Sequence, residues 1–572
     1  MKDIQEKLAV ARGENPADLV FTNGRIVNVL SGEIHEGDVA VSGGRIVGIG
    51  SYEGRVVVDL AGSYIAPAFI DGHIHLESTM LTVAEFARAV VPRGTGAVVT
   101  DPHEYANVVG LPGIEYILES AKHVPVDVFV MMSSCVPATH LETSGARLGR
   151  DDIFPYMSRE NVAGVAEMMN FPGVYNGTET ELGKINLGVK FAKMVDGHSP
   201  GLTGGLLNAY ILAGVTSDHE CTTLEEAREK VRRGMHVLVR EGTAERNLHD
   251  ILPLVTAANA VNFSFATDDK HPADLEDEGH IDHHVRESIR AGLDPMLAIQ
   301  MATINTARHY RLRNHGAIAP RCHANLVVFD SLEDIRPRLV YYHGDLVARD
   351  GAYLHEKEDP VAFAVLTDTM RVKDFTIADL AVEARIGQMK VIDIVPRQIV
   401  TTASLVEPKV ENHEVVADVE RDILKLVVIE RHAATGNIGH GFVRGFGLTR
   451  GAMASTVAHD AHNIIVVGTN DRDMYIAALE VIRMGGGQCV VEGGQLIEEL
   501  PLPIAGLVSP EPLHEVRAKV DALIAAASSI GCVLPDPFMT LSFLALSPIP
   551  ALKVTDLGLV DTERFEVTDL FV

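Results

Sequence analysis

Two hydrophobic patterns alternate between residues 64 and 315. Short runs rich in apolar and β-branched residues have the length of buried strands, and amphipathic stretches such as TVAEFARAVV and TLEEAREKVRRG separate them as predicted helices. The eight runs are YIAPAFI, GAVVT, VDVFVMM, VAGVAEM, KMVDG, GVTSD, MHVLVR and VNFSFAT. Eight strand–helix alternations within about 250 residues predict a (β/α)8 TIM barrel, an α/β fold.

The segments on either side of the predicted barrel have a different pattern. Residues 18–63 and 316–351 contain short β-branched runs, and Asn23-Gly24 and Gly43-Gly44 in the first segment suit tight hairpins. We expect the two segments to pair in space and form a small antiparallel β-sandwich domain built from both flanks. Residues 1–17 read as a short polar helix, which we interpret as an N-terminal arm.

After residue 351 the pattern changes again. VIDIVPRQIVTTA and ILKLVVIERHAA resemble strands, whereas DMYIAALEVIRMGGG and EPLHEVRAKVDALIAAASSIG resemble helices. Residues 352–572 are therefore predicted to form a separate C-terminal α+β domain.

Polar residues with acid–base or metal-binding chemistry follow seven of the eight predicted barrel strands. Barrel active sites lie at the C-terminal ends of the strands, so these side chains are expected to meet there. In chain order they are His73 and His75, then Asp101, His103 and Glu104, then Glu167, His198, His219, Arg240 and Glu241, and finally Asp268 and Asp269.

Four of these histidines and two carboxylates are enough to hold two metal ions. Alternate strand residues point the same way, so His73 and His75 face one point, and imidazole suits first-row metals. The predicted assignment places one ion on His73, His75 and Asp268, the other on His198 and His219, and Glu167 between them.

Such a centre supplies a nucleophile for hydrolysis. Bound metal lowers the pKa of water to ~7, so a metal-bridged hydroxide is available at neutral pH. Asp268 is placed to accept its proton and pass it to the leaving group.

The C-terminal domain contains a second histidine pair, in His459-Asp-Ala-His462 within a glycine-rich segment. Two histidines and one Asp in a single loop are too few ligands for a metal site, so structural turn chemistry is the favoured interpretation. The alternative is that this loop covers the barrel mouth.

Charge and cysteine content restrict the partners. The formal net charge of −29 over 572 residues repels nucleic acid and anionic membranes, which favours a neutral or cationic small molecule but does not exclude a local basic patch. Five scattered cysteines argue against a disulfide framework or a thiolate zinc site. No signal core or long apolar run occurs, and we expect a cytoplasmic protein.

The ordered motifs resemble a known family. PAFIDGHIHLES, TDPHE, VAEMMN, DGHSPG, SDHE and FATDDKHP, together with the flanking β segments, are similar to the amidohydrolase superfamily. The segment GNIGHGFVRGFGLTRGAMASTVAHDAHN is similar to the extra domain of its bacterial adenine deaminase branch. The resemblance spans nearly the whole chain.

This resemblance implies hydrolysis of adenine to hypoxanthine and ammonia at a binuclear centre, with manganese or iron favoured and zinc possible. The metal roles carry over to His73, His75, Glu167, His198, His219 and Asp268. An acid near purine N1 would lower the barrier. His103 and Glu104 are candidates for catalysis, and Asp101, Arg240 and Glu241 for substrate binding. We expect a homo-oligomer, a dimer or larger.

Two other functions stay open from the sequence. A cyclic amidase of the dihydroorotase or hydantoinase type would have a carboxylated lysine at the end of strand four, where this chain has Glu167. A catalytically silent scaffold would be expected to lack a ligand, and all six are present.

Overall fold

The computed structural model describes residues 2–355, 361–396 and 398–572. The predicted arm (1–17) therefore includes one position outside the described residues, and the predicted C-terminal domain (352–572) includes six. The chain begins with a helix at Lys2–Ala11, as predicted for the arm.

Eight parallel strands form the predicted barrel. Backbone hydrogen bonds close it, because Asp268 N–H donates to His73 O (2.9 Å) and Thr216 N–H donates to Val195 O (2.9 Å). Numbered one to eight in chain order, the strands are Phe69–Ile74, Thr95–Thr100, Asp127–Met132, Val162–Met168, Met194–Gly197, Ser217–Asp218, His236–Arg240 and Phe263–Ala266.

Helices cover the outside of the barrel. Each has an apolar face, and its residues join the strands in one continuous core. The longer ones are Val83–Val90, Leu111–Ser120, Glu179–Phe191, Gly204–Ala213, Leu224–Arg232 and Ile281–Arg290. None of the described helices combines the length and apolarity needed to cross a membrane.

The two flanks form the predicted β-sandwich. One sheet contains Ala17–Thr22, Asp38–Ser42, Arg45–Gly50 and Gly54–Asp59. The other sheet joins the flanks, since Tyr64–Pro67 pairs antiparallel with Leu326–Phe329. Its remaining strands are Arg25–Asn28, Glu33–Glu36, Leu339–Tyr342, Asp345–Arg349 and Ala352–Tyr353. Apolar side chains from both sheets, including Phe21, Val41, Ile65 and Val328, fill the space between them.

Two details of this domain differ from the sequence prediction. Gly43-Gly44 does close a hairpin, but Asn23-Gly24 does not, because the strands before and after it belong to different sheets. The domain is also not purely antiparallel, since Ala17–Thr22 pairs in parallel with Gly54–Asp59. Gly24 packs closely at this crossing, because a Cβ there would lie 2.5 Å from the Leu60 side chain.

The C-terminal domain has the predicted α+β composition. An eight-stranded sheet runs in the order 401–406, 389–394, 438–444, 423–429, 464–468, 452–455, 487–492 and 495–501. Helix Asp471–Arg483 packs its apolar face on this sheet through Met474, Ala478 and Val481. The domain also contains two helices towards the barrel, Leu513–Ser529 and Pro537–Phe543. A small sheet (552–567) lies near the chain end.

Candidate metal centre and active-site cavity

The six predicted metal ligands lie together at the C-terminal ends of the barrel strands. His73 is within strand one and Glu167 is within strand four, and the others lie one or two residues after strands one, five, six and eight. All six are buried, with at most 5% of their surface exposed: His73, His75, Glu167, His198, His219 and Asp268.

Glu167 stands between two pairs of histidines. Its Oε2 is 2.7 Å from His198 Nδ1 and 3.3 Å from His219 Nε2. Its Oε1 is 3.3 Å from His75 Nε2 and 3.9 Å from His73 Nε2. The two oxygens of one carboxylate thus face separate imidazole pairs.

The first pair converges with Asp268. The Nε2 atoms of His73 and His75 lie 3.2 Å apart, and Asp268 Oδ1 is 3.5 and 3.1 Å from them. At this distance the lone pairs of two unprotonated imidazole nitrogens repel each other unless a proton or a cation lies between them, and a metal cation can accept both lone pairs at once. The donor set therefore fits a metal ion.

Glu220 adds a carboxylate to the second pair. Its Oε1 lies 3.7 Å from His198 Nδ1 and 3.5 Å from His219 Nε2. The guanidinium of Arg240 donates to Glu220 and, at 2.5 Å, to Asp268 Oδ2. Arg240 therefore ties the carboxylates on strands six and eight together.

The electrostatics of the cluster favour cations. Burial opposes ionisation of Glu167, but His198 and His219 outweigh it and hold the pKa of Glu167 well below its ordinary value. Burial opposes ionisation of Asp268 too, and Arg240 and His219 hold its pKa low. Both carboxylates are thus available as anionic ligands at neutral pH.

The same carboxylates act on the histidines. Burial lowers the pKa of His219, but Asp268 and Glu167 outweigh burial and raise that pKa to about 9. A field that retains a proton on a buried imidazole also attracts a divalent cation.

The residues after strand two form a connected group. Asp101 accepts from His103 Nδ1 (2.9 Å) and from the Ser133 hydroxyl (2.9 Å), which fixes the ring of His103. His103 Nδ1 also lies 3.5 Å from Glu167, and its Nε2 lies 3.3 Å from Glu104. Asp101 thus supports His103 from behind.

A small cavity of about 30 Å³ opens beside the cluster. Both the barrel and the C-terminal domain line it. The residues that the sequence did not single out are Met169, Glu220, Glu245, Ile399, Phe543 and Leu546.

Some of the predicted catalytic and substrate-binding residues line the cavity and others do not. His103, Glu104 and Arg240 line the cavity. Asp101 and Glu241 are absent from the described lining; the Glu241 carboxylate instead accepts from Leu248 N–H (3.4 Å) and lies 3.8 Å from Arg246.

Glu220 and Glu245 are the cavity carboxylates that sequence reasoning missed. Glu220 directly follows His219, so its place in the SDHE motif was an available signal. Glu245 lies in the loop after strand seven, and both of its oxygens lack a hydrogen-bond partner within the described structure. Burial, opposed by Arg240 but reinforced by Asp269, raises the pKa of Glu245 to about 8.

Comparison with known proteins finds family models and relatives that match along nearly the whole chain. The amidohydrolase family model matches residues 64–374, and the model of the adenine deaminase C-terminal domain matches residues 398–566. An adenine deaminase of Desulfatibacillum aliphaticivorans is 48% identical over 564 residues, covering 99% of each chain. One of Dehalococcoides mccartyi (strain 195) is 47% identical over 566 residues, again covering 99% of each. One of Methanothrix thermoacetophila is 46% identical over 573 residues and covers 100% of each.

Proposed function

The chain belongs to the amidohydrolase family and, within it, to the adenine deaminases, and we propose that the cavity beside Glu167 is where it hydrolyses adenine to hypoxanthine and ammonia. The observation that carries this assignment of the site is the arrangement of Glu167, whose two oxygens face two separate histidine pairs. A bridging carboxylate requires this geometry.

Metal dependence follows from the family and from the buried ligand groups. We propose two divalent ions, one held by His73, His75 and Asp268 and the other by His198 and His219, with Glu167 contacting both. Nitrogen and oxygen donors without thiolate suit manganese or iron, with zinc as the alternative. When bound, such ions lower the pKa of water to ~7 and make a hydroxide nucleophile available.

The chain's own residues handle protons and orientation. Asp268 is proposed to take a proton from the attacking water and deliver it to the departing amino group, while Arg240 holds its Oδ2 at 2.5 Å. His103 and Glu104 line the cavity. His103 is proposed to act on the purine near N1, and Glu104 to assist by orienting the imidazoles around it. Asp101 supports His103, and Glu241 supports the loop after strand seven, so both act indirectly.

The alternatives have less support. The relatives that match over the full length are named adenine deaminases rather than cyclic amidases. A silent scaffold has no need to bury six metal-binding side chains in one cluster. We also propose that the protein is a cytoplasmic homo-oligomer that acts without nucleic acid or membrane, in keeping with its charge of −29.

Ammonia release tests the function. Protein stripped of metal is reconstituted with manganese, iron or zinc and offered adenine, adenosine, guanine, cytosine, hydantoin and dihydroorotate. We expect ammonia from adenine with two ions per chain. Ring opening of hydantoin or dihydroorotate without ammonia from adenine would overturn the proposal.

Glu167→Gln is the matched variant in this assay. A neutral amide balances two dications poorly, so at least one ion should bind more weakly and turnover should nearly vanish. Full metal occupancy with near-normal turnover would remove Glu167 from the site.

A further inference from the structure

The loop that contains His459 reaches from the C-terminal domain into the barrel mouth. It connects strands Ala452–Ser455 and Ile464–Gly468 of the large sheet. His459 exposes 3% of its surface and lines the same cavity as the barrel residues. Its ring stacks on Phe543, with ring centroids 5.1 Å apart and an interplanar angle of 19°.

The two ring nitrogens of His459 have different surroundings. Nδ1 lies 2.7 Å from Glu104 Oε1 and donates to it. Nε2 is buried without a hydrogen-bond partner in the described structure, and the nearest carboxylate oxygen recorded, Asp269 Oδ2, is 3.9 Å away. A buried polar atom without a hydrogen-bond partner costs about 1–3 kcal/mol of stability. A ligand that forms a hydrogen bond with this nitrogen would remove that cost.

A third metal site is the rival explanation. Ligand atoms of Glu104, His459 and His462 lie within 4.8 Å of one another. However, His462 Nδ1 accepts the backbone N–H of Ala458 at 3.1 Å. In the neutral ring the proton is therefore on Nε2, which donates to Glu104 and has no lone pair left for a metal.

The group is thus a carboxylate held by two imidazoles. His462 anchors Glu104, and Glu104 fixes the ring orientation of His459. A carboxylate that accepts from one imidazole nitrogen orients the other nitrogen and stabilises the protonated ring. Burial lowers the pKa of His459, but Glu104 and Asp269 outweigh it and raise that pKa to about 9, so Nε2 carries a proton at neutral pH.

We propose that His459 is a catalytic residue contributed by the C-terminal domain, which donates its Nε2–H to a ring nitrogen of the bound purine. Glu104 and His462 are positioning residues in this arrangement. The inference rests on the proposed function, since addition at C6 moves negative charge onto the ring nitrogens, where a fixed cationic donor stabilises it. Sequence reasoning could not reach it, because Glu104 is 355 residues away from His459.

The test compares His459→Ala, His459→Gln and His462→Gln, with His440→Gln as the control. His440 lies in the same domain and contacts the backbone oxygen of Asp379 outside the cavity. We expect His459→Ala to lower kcat/KM for adenine by about 10²-fold or more, with unchanged metal content. His462→Gln should show a smaller loss, and the control none.

Analogues of adenine that lack one ring nitrogen identify the nitrogen that His459 contacts. Inhibition constants of 1-deaza-, 3-deaza- and 7-deazaadenine are measured for wild type and His459→Ala, with folding checked by thermal melting. The analogue that lacks the contacted nitrogen should bind the two proteins equally, whereas the others should bind the variant at least tenfold more weakly.

Two results would overturn the inference. One is an equal loss of binding for all three analogues, and the other is loss of metal from His459→Ala. If wild type releases ammonia from adenine and His459→Ala matches it, this inference alone fails. If wild type releases none, the proposed function fails. If His459→Ala does not fold, the same kinetic and inhibition measurements on His459→Gln, together with the wild-type analogue series, test the inference.

Discussion

Asp268 combines two proposed roles in one side chain, and its two oxygens have different partners. Oδ1 lies 3.1 Å from His75 Nε2, on the metal side, whereas Oδ2 accepts from Arg240 at 2.5 Å. Asp268→Asn keeps a ligating oxygen but cannot carry a proton. We expect the variant to retain much of its metal and to lose on the order of 10²-fold or more in kcat.

Metal analysis and kinetics on the same preparation check this prediction. Asp269→Asn is the comparison, since Asp269 lines the same cavity and is the neighbour of Asp268 but is not one of the predicted metal ligands. If Asp269→Asn lost metal while Asp268→Asn turned over normally, the roles of the two residues would have to be exchanged.

Single residues were predictable where strand ends decide their position. His73, His75, Glu167 and Asp268 follow from the two-residue period of a strand and from the rule that barrel sites lie at the strand ends. Glu245 could not be found in this way. Its place depends on the path of a loop, which the hydrophobic pattern does not encode.

The loop after strand seven shows how one element places a side chain. Gly242 N–H donates to Glu245 O (3.0 Å), and Thr243 N–H donates to Asp269 O (2.9 Å), so the turn is joined to the end of strand eight. A Cβ on Gly242 would lie 2.7 Å from Asp269 O and 2.8 Å from Thr267 O. Only glycine allows this approach.

Gly242→Ala should therefore disturb the ends of strands seven and eight. We expect thermal unfolding to show a loss of about 1–3 kcal/mol, typical of overpacking, and kcat/KM to fall at least tenfold as Asp268 moves. Gly205→Ala is the control, because a Cβ on Gly205 meets nothing within 4 Å. Equal behaviour of the two variants would contradict the steric argument.

Hairpins were less predictable than barrel elements. Repeated alternation of strands and helices admits few arrangements, and the barrel prediction was confirmed. Asn23-Gly24 has the residues of a two-residue hairpin, yet the flanking strands lie in different sheets. Local turn chemistry specifies a bend there, and the packing of both sheets around a common core decides which strands pair.

On the scale of the whole molecule, the C-terminal domain closes over the barrel mouth through polar contacts. Asn463 Nδ2 donates to Thr143 O (2.9 Å), and Thr143 N–H donates to Asp556 Oδ1 (2.8 Å). These contacts join residues more than 300 positions apart, so the local pattern of the sequence does not encode them. The sequence did predict the domain, but it favoured structural turn chemistry for the His459 loop and left a cover over the barrel mouth as the alternative.

Glu142 is a buried carboxyl at this junction. It lies after strand three of the barrel, and its Oε1 accepts from Thr139 N–H (3.3 Å) and from the hydroxyl of Ser547 in the C-terminal domain (2.9 Å). Burial, reinforced by Asp460 and opposed by the Ser547 hydrogen bond, raises the pKa of Glu142 to about 8. The folded protein therefore keeps a proton there that the unfolded chain, with a carboxyl pKa of about 4.3, releases.

This difference sets the sign of a pH effect on stability. Since the folded pKa is raised, the stabilising contribution of Glu142 is complete below about pH 4.3 and is lost as the pH rises towards 8. Gln keeps an acceptor for Thr139 and Ser547 but does not titrate. We expect the free energy of unfolding of Glu142→Gln to increase relative to that of wild type by up to ~1.4 kcal/mol per pH unit between pH 5 and 8. Above pH 8 the difference should not increase further. Denaturant unfolding of both proteins across this range measures the difference, and parallel pH profiles would show that Glu142 is ionised in the folded protein.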